Sequence, residues 1–172
     1  MNKPGLSIVL IGFMGAGKSS VGRALAHMTG LPRFDTDELI SKRFGMTIPE
    51  IFEKQGEPAF REAETAALQQ LRDKGAAIVV TGGGIILSAE NRELVRGIGQ
   101  VVHLAANEET LFGRISRRST RPLLQTGNPR ATARTLLAAR LPLYREVADV
   151  EVDTSLLTHE EVARKILELV ES

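Results

Sequence analysis

The chain has no cysteine and no tryptophan among its 172 residues, and only one tyrosine. Without thiols, neither disulfides nor thiolate metal sites can contribute to folding or chemistry, which fits a cytoplasmic setting. Long apolar runs are missing too. Leu6 to Met14 follows Lys3 in the manner of a secretion signal, but it is far short of the roughly 20 residues that cross a bilayer. Cleavage after it would also destroy the glycine-rich motif that starts at Gly12, so no membrane partner is expected. Net charge is nearly absent at +1, which gives no global case for nucleic acid or an acidic surface. No repeat or low-complexity stretch is visible. A chain of this length with 42% hydrophobic residues suits one domain, residues 1–172, with a sizeable core. One local absence is informative. Between Thr110 and Arg145 there is no Asp or Glu, yet there are eight arginines: Arg114, Arg117, Arg118, Arg121, Arg130, Arg134, Arg140 and Arg145. That imbalance suggests an anion site.

What is present begins with Gly12-Phe13-Met14-Gly15-Ala16-Gly17-Lys18-Ser19, a G-x-x-x-x-G-K-S phosphate-binding loop. It stands directly after the β-branched run Ile8 to Ile11 and before a helical segment, the context this motif requires. Gly12, Gly15 and Gly17 permit a sharp turn that brings successive amides to phosphate oxygens. Lys18 can reach the terminal phosphates, Ser19 can offer a hydroxyl to Mg²⁺, and Gly15, Ala16, Gly17 and Ser20 complete the cradle at a helix N-terminus. A dinucleotide-binding loop fits worse, since its third glycine would have to stand at Ser20.

Along the chain, strands alternate with helices. Ser19 to Thr29 reads as a helix with Val21, Leu25 and Met28 inward and Gly30 as its stop. Phe34 to Asp37 is short and extended, Glu38 to Phe44 helical. Thr47 opens a short helix to Lys54, and Pro58 starts another to about Lys74, with Phe60, Ala63, Ala67, Leu68 and Leu71 at helical spacing. Ala76 to Thr81 is a continuous apolar strand ending in Gly82-Gly83-Gly84. Next come a helix from Ala89 to Arg96, a strand from Gln100 to Leu104 and a helix capped by Asn107. Ser119 to Arg130, broken by Pro122, Gly127 and Pro129, reads as a mobile loop. Ala131 to Arg140 is helical, and Pro142 should bend or interrupt the chain from there to Ala148. Asp149 to Asp153 is the last strand, and Thr158 caps the last helix. The pattern predicts an α/β fold: a parallel sheet with helices on both faces and ligands at the C-terminal strand ends.

Asp35 and Asp37, at the end of the second strand, are expected beside the first strand's loop, where one carboxylate could serve Mg²⁺ and the other the attacking hydroxyl. Arg61 and Glu64, three apart on one helix, read either as a surface ion pair or as site residues. The three glycines at 82–84 would let backbone approach a ligand closely. Arg114, Arg117, Arg118 and Arg121 flank the loop and repel one another unless an anion is present, which fits a phosphate-gripping lid.

Taken together, these segments resemble shikimate kinase, a small member of the nucleoside monophosphate kinase-like P-loop family. The resemblance rests on the phosphate loop, Phe34-Asp35-Thr36-Asp37, Phe60-Arg61-Glu62-Ala63-Glu64, Thr81-Gly82-Gly83-Gly84, Arg121-Pro122-Leu123-Leu124 and Arg140-Leu141-Pro142-Leu143-Tyr144, in the family's order. It implies a three-layer P-loop fold with a five-stranded parallel sheet, a lid over about 114–130 and substrate-binding helices over about 37–74. It also implies transfer of the ATP γ-phosphoryl group to the 3-hydroxyl of shikimate, within aromatic amino-acid biosynthesis, by a monomer that binds no nucleic acid. Under it Asp35 and Ser19 hold Mg²⁺, Asp35 directly or through water, and Asp37 meets the substrate hydroxyls. Arg61 and Arg140 bind the carboxylate, Gly82, Gly83 and Gly84 support the ring, and Arg121 bridges substrate and phosphates. Asp37, Lys18 and Arg121 are then the catalytic residues, and Arg114 lies by the adenine. One departure stands out: Asp153-Thr154-Ser155-Leu156-Leu157 lacks the basic residue and proline common in the family near the adenine. Two other readings compete. Gluconate kinase shares the loop but not this set of D-x-D, triple-glycine and R-P-L-L segments, and the other is a switch module that hydrolyses ATP or GTP, for which guanine selection would need an N-K-x-D segment whose nearest likeness, Asn2-Lys3-Pro4-Gly5, is at the wrong end.

Overall fold

The structure, a computed structural model, describes residues 6–117 and 127–172. At its centre is β1 (Ser7–Ile11), buried along its whole length between β3 (Ile78–Val80) and β4 (Gly99–Ala105). β2 (Arg33–Asp35) pairs with β3, and β5 (Val150–Asp153) with β4, giving a parallel sheet in the order β2-β3-β1-β4-β5. The continuous β-branched character of β1 and β3 reflects helices covering both faces, which leave no strand side for polar residues. β3 is interposed between β2 and β1. The C-terminal ends of β1, β2 and β3 still open on one side, because all strands run the same way.

Helix α1 (Lys18–Thr29) begins directly after the phosphate loop and ends at Gly30 in the left-handed conformation. Its buried face is Lys18, Val21, Gly22 and Leu25, whereas Met28 is exposed, contrary to the sequence reading. Gly22 permits close packing: a β-carbon there would stand 2.4 Å from the Val80 side chain. α2 (Thr36–Phe44) starts two residues earlier than expected, because the Asp35 carboxylate accepts from the amides of Asp37 and Glu38 and so caps the helix. Asp37 thus lies in a helical first turn, not in an extended segment. α3 (Ile48–Lys54), capped by Thr47, and α4 (Glu57–Leu71) join α2 around a small second core of Ile40, Ile51, Phe60, Ala63 and Ala67.

A 3₁₀ turn at Ile85–Leu87 separates the triple glycine from α5 (Ala89–Ile98), which Ser88 caps. α6 (Glu108–Ser116) carries the first part of the expected lid, and α7 (Pro129–Val147) its last residues. Residues 118–126, including Arg118 and Arg121, lie outside the described residues. α7 runs unbroken through Pro142. The proline is on the exposed side, so the carbonyl of Ala138 that loses its partner can turn to water while Ala133, Arg140, Tyr144 and Val147 hold the opposite face in the core. α8 (His159–Glu171) closes the fold against the large core, with Val162, Ala163 and Ile166 inward. No helix among the described residues is long and apolar enough to cross a membrane.

Candidate active site

The phosphate loop occupies the C-terminal end of β1. Gly15 and Gly17 have φ of 83° and 92°, where an L side chain is strained, and a β-carbon on Gly12 would stand 2.7 Å from the Leu104 carbonyl oxygen. Lys18 is almost wholly buried, and its Nζ donates to the carbonyls of Gly12 at 2.6 Å and Phe13 at 3.0 Å. The ammonium is thereby held over the loop. A cavity of about 330 Å³ opens above it, lined by Gly15, Gly17, Lys18, Ser19, Ser20, Asp35, Asp37, Gly82, Gly83 and Arg114. Ala16, within the loop, is buried. Thr81, Arg117 and His159 also line this cavity; His159 reaches it because α8 begins there, a juxtaposition that carries no local sequence signal.

Arg114 spans the loop after β5 and the phosphate loop. Its guanidinium donates to Gly15 O at 3.1 Å, Thr154 Oγ1 at 3.3 Å and Thr154 O at 3.4 Å. Other arginines of the acid-free stretch face elsewhere. Arg134 pairs with Glu108 at 3.4 Å, Arg145 with Glu151 at 3.3 Å, and Arg130 lies over the Phe112 ring. Acids just outside the stretch, Glu108 and Glu151, therefore neutralise part of the imbalance.

A second, smaller cleft of about 80 Å³ adjoins the first and shares Asp37, Gly82 and Gly83 with it. Arg61, Glu64, Gly84 and Arg140 complete its polar wall, and Met14, Phe52 and Phe60 its apolar one. Each glycine of the triplet makes room for a charged neighbour. A β-carbon on Gly82 would stand 2.8 Å from Asp37 Oδ1, one on Gly83 3.4 Å from Arg140 Nη1, and one on Gly84 2.4 Å from Arg61 Nη1. The Gly82 amide donates to the buried hydroxyl of Thr36, at 3.2 Å, so the residue between the two aspartates fastens the start of α2 to the triplet.

Arg61 and Glu64 are not a surface pair. Arg61 Nη1 donates to Glu64 Oε1 at 2.7 Å, and the Glu64 side chain is 0% exposed. Burial pushes the Glu64 carboxyl up to about 7, against the opposing pull of Arg61, while the nearby Asp37 charge raises it further. Burial disfavours the Arg61 charge, but Glu64 and Glu57 outweigh it and hold that guanidinium above its ordinary value. Asp35 is also raised, chiefly by burial, against the capping amides and Arg33. Arg140 is 2% exposed, with Nη1 near Gly83 and no hydrogen-bond partner for Nε among the described residues. A buried guanidinium donor left open in a cleft suits an oxyanion brought by a ligand.

A phosphate loop on the central strand, opening through shared walls onto a cleft for a compact anionic acceptor, defines a small-molecule kinase of the P-loop class. Known proteins narrow this further. A family profile described as "Shikimate kinase" matches residues 14–171. The shikimate kinase of Bordetella pertussis is 49% identical over 87% of this chain and 71% of its own, and that of Pseudomonas syringae 47% identical over 86% of each. The solved structure of shikimate kinase from Acinetobacter baumannii in complex with shikimate superposes with a TM-score of 0.93 at 44% identity, covering 96% of this chain and 93% of that one. The chain belongs to the shikimate kinase family and is an ATP-dependent kinase. A gluconokinase from Sinorhizobium meliloti, at 21% identity and a TM-score of 0.58, shares the fold alone.

Proposed function

We propose that this single-domain protein transfers the γ-phosphoryl group of ATP to the 3-hydroxyl of shikimate, as a cytoplasmic monomer supplying aromatic amino-acid biosynthesis. The observation that carries the reading is the shared wall. Asp37, Gly82 and Gly83 line both the phosphate cavity and the cleft holding Arg61 and Arg140, so a hydroxyl bound in one faces a phosphoryl group bound in the other.

Backbone amides of Gly15 to Ser19 hold the phosphates, and Lys18, already poised over the loop, stabilises charge on the transferring group. Arg61 and Arg140 grip the acceptor's carboxylate, for which a guanidinium fork is better shaped than an ammonium. Asp37 accepts a hydrogen bond from the attacking hydroxyl and orients it; in a loose transition state that positioning matters more than proton removal. Arg114 packs by the adenine, and Arg121 is assigned to a lid that bridges the two substrates. The donors present suit Mg²⁺: Ser19 and Asp35 line the phosphate cavity, and this ion binds through one or two oxygen ligands, water and substrate phosphates. Bound there, Mg²⁺ neutralises phosphate charge. Asp35 uses Oδ1 to cap α2, and its Oδ2 lies 3.7 Å from Arg33 Nη1, so a metal-held water there would share that oxygen with the guanidinium.

The test is purified protein with ATP, Mg²⁺ and either shikimate or gluconate. ADP and shikimate 3-phosphate are expected with the first and no acceptor-dependent ADP with the second. The reverse pattern overturns the acceptor assignment.

A further inference from the structure

Tyr144, the only tyrosine of the chain, is fully buried, and its hydroxyl donates to the carbonyl oxygen of Gly83. Its ring stacks on His103 of β4, with centroids 5.0 Å apart and planes 20° apart. His103, itself 2% exposed, places Nδ1 2.8 Å from Glu151 Oε2 on β5. Burial disfavours protonation of this imidazole, while His103 and Arg145 hold the Glu151 carboxyl low against its own slight burial. Neutral His103 thus donates from Nδ1 to a carboxylate. Glu151 also accepts from Arg145 Nε, the residue after Tyr144 on α7. The tyrosine is held from two sides: its ring by the imidazole, and its helix by the same carboxylate that orients that imidazole.

This clamp ends at the acceptor cleft. Gly83 is the middle glycine of the triplet and part of the wall shared by both cavities. Arg140 lies one helical turn before Tyr144 on the same buried face, its Nη1 near Gly83 and its charge among those acting on the phenol. One hydroxyl therefore connects the glycine wall to the helix that carries the carboxylate-binding guanidinium. Hydrophobic burial explains the ring, but a phenylalanine would supply that; it does not explain a hydrogen bond to a glycine carbonyl in a ligand-facing segment.

We propose that Tyr144 is a positioning residue for the acceptor, its hydroxyl fixing the Gly83 carbonyl relative to Arg140 so that the cleft presents the spacing an anionic polyol requires. The inference rests on shikimate being the acceptor for its kinetic consequence, but not for its structural one.

Tyr144→Phe separates the hydroxyl from the ring, since volume and the stack on His103 are kept. The KM for shikimate is expected to rise about 5- to 10-fold, the scale of one hydrogen bond, with kcat reduced less than threefold and the KM for ATP unchanged. Amide hydrogen exchange in the protein without acceptor is expected to quicken at Gly83 to Ile85 and not in β1 or α1. If the KM values for ATP and shikimate rise equally, or exchange quickens throughout, Tyr144 is only a core residue and the proposal falls. Unchanged KM values and unchanged exchange overturn it as well. If the parent protein does not phosphorylate shikimate, the acceptor reading fails, and exchange confined to the glycine segment still decides whether the hydroxyl positions it.

Discussion

Arg61 donates to Glu64 at 2.7 Å across one turn of α4, and the carboxylate it grips is shut away from solvent by the glycine triplet and α2. Arg61 also reaches Glu57 at 3.1 Å. An acceptor carboxylate binding Arg61 thus meets a guanidinium already oriented by two acids, at the cost of sharing its donors.

Removing Arg61 leaves the buried Glu64 carboxyl without its donor and, already raised to about 7, it takes up a proton instead of staying charged. Arg61→Ala is therefore expected to lose about 1–3 kcal/mol of stability in denaturant unfolding, the scale of an unsatisfied buried polar group. Adding Glu64→Gln should regain little of it, while shikimate affinity stays lost in both variants. A double variant as stable as the parent would show that a buried charge is the cause instead.

The same carboxyl predicts a pH dependence. Because folding raises its pKa from 4.5 to about 7, the native state binds more protons than the unfolded state in that interval, so stability is full below about 4.5 and falls as pH rises to about 7. The loss is at most about 3 kcal/mol at the usual energy per pH unit. Asp35 contributes in the same direction, and His103, lowered by burial, in the opposite one. Comparison of the parent with Glu64→Gln therefore isolates the effect: urea midpoints of the two should diverge across this range, and parallel curves would contradict it.

Lys18→Ala is expected to remove most turnover at saturating ATP. It should also cost about 1 kcal/mol, because the Gly12 carbonyl loses its Lys18 donor, whereas the Phe13 carbonyl keeps the Ala16 amide. The motif alone gives no reason to expect that stability change. Thermal unfolding and steady-state kinetics on one preparation test both parts.

Asp35→Asn and Asp37→Asn should fail differently. Asparagine is a good helix cap, so Asp35→Asn is expected to keep its stability while raising the Mg²⁺ concentration required. Asp37→Asn should leave ATP and Mg²⁺ dependence nearly intact and lower turnover about 10²- to 10⁴-fold. Restoration of Asp37→Asn by excess Mg²⁺ would reverse the assignment.

What the sequence determined by itself is what depends on neighbours in the chain. The phosphate loop was legible because its glycines, Lys18 and Ser19 act within eight residues, between a strand and a helix that each announce themselves by periodicity. Thr47, Ser88, Asn107 and Thr158 cap helices through amides three residues on, so several helix starts could be read directly. The family segments also located Asp37, Arg61, Gly83 and Arg140, which the fold gathers in one cleft. Tertiary structure decided the rest, because burial and hydrogen-bond partners are properties of distant chain. A three-residue spacing makes Arg61 and Glu64 neighbours on any helix, but only α2 and the glycine triplet make Glu64 a buried acid. Hydropathy shows that β1 and β3 are interior strands, but not that β3 separates β1 from β2, since every interior strand offers the same backbone donors and acceptors. Pro142 should end a helix by its own geometry, and only the packing of Arg140, Tyr144 and Val147 carries α7 past it. The bond from Tyr144 to Gly83 joins residues 61 apart, where no local pattern can foretell a partner.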